Sequence, residues 1–332
     1  MIFIWLKFFI CALLILFVGY RLSLYADAIC AKTNITRGLM GFFFLALATT
    51  LPEFVTSVSS ITVVGSPNLA VGNIFGSIVA NLMIIALLDL IQGKGPLLKG
   101  VEINHILPSG LCIISLGIIS FFILIRFQSN IKLGIFGFGL DSLIILLIYI
   151  IGLILVFQYD KRNKKISSFG KKEERNRLAP LIIKFSLCFI AIVFLGIWLS
   201  TIGEDIAKVM SLSETLVGTS FLAVATSLPE LVISISSLKF SLDMSIGNIL
   251  GANFLDMMII PVCDLFFRKG ELLGYISINH LITAILGIIL TAIVIVGLIY
   301  RSRKSFLKLG YDAIAMIVTL AIGGYFLILV IK

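Results

Sequence analysis

Ala223-Val224-Ala225-Thr226-Ser227-Leu228-Pro229-Glu230 decides the reading of this chain, because it puts a proline and a carboxylate inside an apolar run, 215–238, long enough to cross a bilayer. A carboxylate near the bilayer centre costs about 2.5–3.5 kcal/mol on insertion scales, which makes it a functional candidate. The phrase recurs once, as Ala46-Leu47-Ala48-Thr49-Thr50-Leu51-Pro52-Glu53. One buried Glu after Pro could be an accident. Two at matching places in two halves point to a paired ion site.

Outward from these phrases the chain is greasy throughout. Of 332 residues, 60% are hydrophobic and 13% charged, about half the charged share of a soluble globule. That excludes a soluble fold and predicts an all-α polytopic membrane protein. Apolar runs predict ten spans, at 5–20, 38–61, 69–91, 105–125, 133–157, 180–200, 215–238, 244–267, 278–300 and 309–331. A net charge of +9 would suggest nucleic acid in a soluble protein, but here the basic residues lie mostly in loops, so no nucleic-acid partner is expected. Loops after the odd-numbered spans hold 18 Lys and Arg, against 7 on the other side with the termini included. The excess predicts a multi-pass cell-membrane protein with both termini outside and the 158–179 segment in the cytoplasm. Lys7 interrupts the first apolar run and no small-x-small cleavage site follows it, so that run is expected to remain as a span. The five cysteines are scattered without a CxxC pair and read as small buried hydrophobes.

The 158–179 stretch is the one long polar segment and divides the chain into 1–157 and 180–332, each with five spans. An odd number of crossings makes homologous halves enter the membrane from opposite sides, giving two inverted five-helix repeats joined by a basic tether. The homology is legible. Phe44–Ser60 aligns with Phe221–Ser237, Gly72-Asn73-Ile74-Phe75-Gly76 with Gly247-Asn248-Ile249-Leu250-Gly251, and Ile103-Asn104-His105 with Ile278-Asn279-His280. Lys132-Leu133-Gly134 matches Lys308-Leu309-Gly310 in the same manner.

Helical spacing gives these segments their chemistry. Ala46, Thr49, Thr50 and Glu53 share one face that continues to Ser57 and Ser60; Ala223, Thr226, Ser227, Glu230, Ser234 and Ser237 repeat it. Pro52 and Pro229 lack an N–H and clash with the carbonyl four residues earlier, near Ala48 and Ala225. Carbonyls freed in lipid need a partner, and a cation is a suitable one. The next span adds Asn73, Ser77 and Asn81 at four-residue spacing, answered by Asn248, Ala252 and Asp256, and its glycines permit close backbone approach. Carboxylate, hydroxyl and carbonyl oxygens form the hard set that suits calcium and sodium. Three acids without a Lys or Arg at that depth require cations or protons. The remaining polar residues read more plainly. Isolated Ser and Thr bond back to carbonyls or join helices. His105 and His280 are placed at the rim as interfacial anchors, Asp89 and Asp264 at solvated span ends, and Asp141 lacks a repeat partner.

At these residues the chain resembles the sodium/calcium exchanger family of the calcium:cation antiporters, marked by two G-T-S-L-P-E phrases each followed by G-N-x-x-G-S-x-x-x-N/D. Tyr25-Ala26-Asp27 and Gly203-Glu204-Asp205 ahead of the repeats extend the resemblance, and the ten-span layout covers the whole chain. It implies calcium bound by Glu53 and Glu230 with help from Thr49 and Thr226. Sodium would add Ala46, Thr50 and Ser77 in one half and Ala223 and Ser227 in the other, with Asn81 and Asp256 in the middle. Each phrase here begins with Ala48 or Ala225 in place of Gly, and Ala252 stands where the family has a sodium-binding Ser, so one sodium site lacks a side-chain oxygen.

The expected function is antiport of calcium against sodium by alternating access, with the two ions and the bilayer as partners, no cofactor and no enzymatic activity. A proton- or potassium-coupled exchanger of the same fold uses the same ligands, and so does a passive cation channel, which would show flux without countertransport. Paired catalytic aspartates, a Ser/His dyad at depth and an HExxH motif are all missing from the sequence, which leaves an intramembrane hydrolase without support.

Overall fold

A computed structural model describes residues 2–30, 46–93, 95–129, 134–135, 137–162, 178–238, 241–302, 305–306 and 309–331. The expected start of the second span (38–45), Lys132-Leu133, Lys308 and most of the basic tether (163–177) lie outside them. The first half contributes α1 (Ile2–Cys30), α2 (Ala46–Thr49), α3 (Leu51–Ser59), α4 (Pro67–Gln92), α5 (Ile106–Ser129) and α6 (Leu140–Arg162). The second contributes α7 (Leu178–Met210), α8 (Glu214–Val217), α9 (Ala223–Thr226), α10 (Leu228–Ser237), α11 (Leu242–Phe266), α12 (His280–Tyr300) and α13 (Tyr311–Ile331). Among the described residues eight helices are long and apolar enough to cross a membrane, and two shorter apolar ones, Leu51–Val64 and Tyr311–Leu327, stand where the second and tenth spans are expected.

Two departures from pure helix recur in both halves. A two-residue antiparallel hairpin precedes the last helix of each, β1 (Gly134–Ile135) with β2 (Phe138–Gly139) and β3 (Ser305–Phe306) with β4 (Leu309–Gly310). These hairpins correct the repeat register. Gly310 sits on the second strand of its hairpin and corresponds to Gly139, whereas Gly134 is on a first strand, so the shared Lys-Leu-Gly is a coincidence of composition. With that register Asp141 acquires the partner it lacked in the sequence. Asp312, like Asp141, lies two residues past the glycine, in the first turn of its helix.

The middle of the molecule is α4 and α11, apolar around most of their circumference because protein surrounds them on nearly every side. Their packing partners include Ile74, Ile78 and Leu82 from α4 with Ile246, Leu250 and Met257 from α11. α1 and α7 lie along each other outside this core, joined through Phe8, Cys11 and Ile15 with Leu199, Ile202 and Ile206. On α4, a Cβ at Gly76 would collide with the Thr219 carbonyl and the Ala223 methyl, and one at Gly72 would crowd the backbone of Gly218 and Thr219. These glycines let α4 meet the π-helical turn Gly218–Leu222 backbone to backbone, which brings α9 against α4.

Aspartates at the helix ends hold the loops. Asp89 accepts the backbone N–H of Leu97 at 2.6 Å and of Gly310 at 2.7 Å; Asp264 accepts those of Leu272 at 2.6 Å and Gly139 at 2.7 Å. Each is 2% exposed. The solvated position expected for them is therefore wrong, because the donors arrive from loops distant in the chain and close over the carboxylates. The histidines are likewise buried rather than rim anchors. Nε2 of His280 lies 3.2 Å from Asn68 Oδ1, and that of His105 lies 3.7 Å from Asp243 Oδ1, so each joins the first turn of the other half's central helix. The same two oxygens accept the N–H groups of Ser277 and Glu102, both at 2.7 Å.

These ties fix the relative direction of the halves. The start of α4 and the end of α11 are bound to the segment around 268–280, while the end of α4 and the start of α11 are bound to 97–105. α4 and α11 thus run antiparallel, as inverted repeats demand.

One tie has no counterpart among the described residues. Arg126, buried at the end of α5, forms ion pairs with Asp141 and Glu271. Its equivalent Arg301 donates to the backbone carbonyls of Val101 (2.8 Å) and Leu298 (3.3 Å). Pro96 holds the place of Glu271, one residue before the N–H that the aspartate clamps.

Candidate ion-binding site

Both repeated phrases break their helices at the same place. α2 ends at Thr49 and α3 restarts at Leu51; α9 ends at Thr226 and α10 restarts at Leu228. Thr50 and Ser227 are the hinge residues, each still giving its N–H to the carbonyl four back, Ala46 at 2.8 Å and Ala223 at 3.0 Å. Proline at the second position of each new helix costs nothing there, because that N–H has no helical partner in any case. Glu53 and Glu230 follow at the third position, in the first turn, where the positive end of the helix dipole favours a carboxylate.

The two breaks meet between α4 and α11. Ser227 donates to Glu53 Oε1 at 3.1 Å, crossing from one half to the other. Glu53, Glu230 and Asp256 are all at most 1% exposed and close enough for mutual repulsion. No ion pair among the described residues reaches any of them. Seven side-chain oxygens on these helices make no hydrogen bond of good geometry to the described residues: Thr50 Oγ1, Glu53 Oε2, Asn81 Oδ1, both of Glu230, which the Thr49 hydroxyl faces from a longer distance, and both of Asp256. Burying one unpaired carboxylate costs several kcal/mol, and three together are sustained only by bound cations or by protons. The donor set is entirely oxygen and suits a hard cation such as calcium or sodium.

Around these oxygens runs a second, satisfied layer that the sequence marked only as a wall. Thr49 donates to Asn248 Oδ1 (3.3 Å), whose amide donates to Ser234 (3.1 Å); Thr226 donates to Asn73 Oδ1 (3.2 Å), whose amide donates to Ser57 (2.9 Å). Each threonine therefore reads an asparagine of the opposite half, and each asparagine is oriented by the serine one turn beyond its own glutamate. Asn73 and Asn248 hold the halves together at the site. The two layers are not equal. Thr226 has a second contact at 3.4 Å with Ser77 Oγ, while Ala252, the equivalent of Ser77, is fully buried in an apolar cluster with Ala46 and Phe254.

All eleven predicted residues thus lie on the elements that converge here. Thr50, Glu53, Asn81, Glu230 and Asp256 present unpartnered oxygens, and Thr49, Thr226, Ser77 and Ser227 sit in the bonded layer. The carbonyls of Ala46 and Ala223 each accept a backbone N–H and lie 3.2 Å from the hydroxyl of Thr49 or Thr226, whose one proton is shared between that carbonyl and the facing asparagine. Ser60, placed on the stripe by spacing, donates back to Thr56 O at 2.8 Å and takes no part. Asn253 was not anticipated. It accepts the amide of Asn81 at 3.0 Å, and its one visible signal in the sequence is a polar side chain where the first half has Ile78.

The comparisons with known proteins bear on the family and the fold. An uncharacterized membrane protein of Methanocaldococcus jannaschii is 26% identical over 258 residues, covering 75% of this chain and 78% of its own length. The inner membrane protein YrbG of Escherichia coli is 25% identical over 266 residues, covering 78% of each. The fold matches a solved structure of the sodium-calcium exchanger NCX_Mj with a TM-score of 0.60 at 20% identity, over 98% of this chain and 99% of that one. It also matches the H+/Ca2+ exchanger CAX with a TM-score of 0.70 at 13% identity, over 98% and 86%. The model of the sodium/calcium exchanger protein family matches residues 3–159 and 181–331, nearly the whole of both halves and little of the tether between them, and the chain belongs to that family.

Proposed function

We propose that this protein is a secondary active antiporter that exchanges calcium for sodium across the cell membrane by alternating access. The observation that carries the reading is the set of seven unpartnered, buried oxygens that the two broken helices and the central helices α4 and α11 bring into the protein interior. Glu53 and Glu230 are the calcium ligands, assisted by Thr49 and Thr226. Sodium uses the same carboxylates together with Ala46, Thr50 and Ser77 on one side and Ala223 and Ser227 on the other, with Asn81 and Asp256 between them. Because both ions need the same acids, occupancy by one excludes the other, and the gradient of one moves the other. Repeats 1–157 and 180–332 move against each other about the site. The termini lie outside, and the tether 158–179 lies inside.

The deciding experiment is calcium uptake by sodium-loaded proteoliposomes with sodium, proton and potassium gradients imposed one at a time. Uptake that follows the sodium gradient supports the reading. Uptake that follows a pH step without sodium replaces it with proton coupling, which the missing hydroxyl at Ala252 favours, and uptake with no countertransported ion replaces it with a channel. Ala252→Ser supplies that hydroxyl opposite Thr49. It is expected to raise the apparent sodium affinity of exchange by several-fold, since one neutral oxygen ligand is comparable to one buried hydrogen bond, about 1 kcal/mol. An unchanged sodium dependence would mean that this position holds no ion.

A further inference from the structure

Asn253 is buried, lies one turn before Asp256, and occupies the position that Ile78 holds in the first half. Its amide nitrogen donates to the backbone carbonyl of that same Ile78 at 3.5 Å, and its Oδ1 accepts from Asn81 Nδ2 at 3.0 Å. A carbonyl oxygen can only accept, so the Ile78 contact settles which end of the Asn253 amide faces it. Oδ1 must then face Asn81, and Asn81 can answer only with its NH2. The consequence is that Asn81 Oδ1 is turned away from Asn253 and is left as one of the unpartnered oxygens beside the acids.

Resting on the exchanger reading, we propose that Asn253 is a positioning residue for ion binding: it locks the Asn81 amide in the orientation that presents oxygen, not NH2, to the cation. Without this lock the Asn81 amide can turn over and offer two N–H donors to Glu53, Glu230 and Asp256, satisfying the acids and repelling a cation. Asp256, the equivalent of Asn81, needs no such guide because both its side-chain oxygens are acceptors. The device is therefore needed in only one half, which accounts for the break in repeat symmetry at Asn253 and Ile78.

Calcium titration calorimetry on the full chain in detergent tests this through a double-mutant cycle. Asn253→Leu is expected to weaken calcium binding about tenfold, the equivalent of one buried hydrogen bond of good geometry. In an Asn81→Asp background, where the side chain presents oxygen in either orientation, the same change is expected to cost less than about twofold. If Asn253→Leu does not fold, Asn253→Ser carries the same comparison, because it loses the reach to both partners while keeping the site small and polar. Equal losses in both backgrounds would mean that Asn253 only supports packing, and unchanged affinity in the single variant would overturn the role outright. A wild-type chain that binds no calcium would remove the exchanger reading and this role with it, whereas binding by wild type with no effect at Asn253 removes this role alone.

Discussion

Glu53→Gln and Glu230→Gln are each expected to abolish the proposed calcium exchange in proteoliposomes while leaving a protein that is at least as stable as the wild type without cations. Glutamine keeps the shape of the side chain, and at position 53 it can still accept the Ser227 hydroxyl. What it removes is one of three buried carboxylates that repel one another when ionised. At an effective dielectric of about 20, one charge at 4 Å from another is worth about 4 kcal/mol, and more against a divalent ion, so calcium affinity should fall by about a thousandfold or more. The same loss of charge relieves repulsion in the cation-free protein. Transport and cation-free thermal stability are therefore expected to move in opposite directions, which a merely structural glutamate would not do. Retained calcium flux in either variant, or a fall in stability along with flux, would sink the assignment.

The second large effect is expected at Arg126. Arg126→Met leaves Asp141 and Glu271 buried with no cation, and breaking a buried ion pair by removing one partner costs about 3–5 kcal/mol. Arg301→Met, at the equivalent place, loses hydrogen bonds to two backbone carbonyls and a weaker attraction to the partly buried Asp243, and is expected to cost about 1–2 kcal/mol. Adding Asp141→Asn and Glu271→Gln to Arg126→Met should recover most of the loss, since the stranded charges are then gone. Unfolding in detergent micelles, followed by loss of the folded species on size exclusion after heating, ranks the three variants. Equal losses at Arg126 and Arg301 would show that the buried triad carries no special weight.

The site and its support are encoded at different ranges along the chain. Glu53 and Glu230 were legible because each is a local anomaly, a carboxylate after a proline in an apolar span, and because the anomaly occurs twice. The helix break at Thr50 and Ser227 follows from the same proline, whose missing N–H acts within one turn. By contrast, Asp89 and Asp264 looked like ordinary span ends. What buries them is a pair of N–H groups, Gly310 and Gly139, that stand 221 and 125 residues away in the chain. The Lys-Leu-Gly match misled for a related reason, since a three-residue identity carries too little information to set register. The hairpin geometry sets it instead.

By itself, then, the sequence determined an all-α polytopic membrane chain with two homologous halves and with acids, hydroxyls and prolines on one face of each repeated helix, because periodicity, hydropathy and duplication are properties of neighbouring residues. Only the tertiary structure decided which oxygens are left without partners and which are held: Thr49 with Asn248, Thr226 with Asn73, and Asn81 turned by Asn253. Those pairings cross from one half to the other, and they depend on how far α4 slides and rotates against α11, a register set by glycine contacts and loop clamps spread over the whole chain.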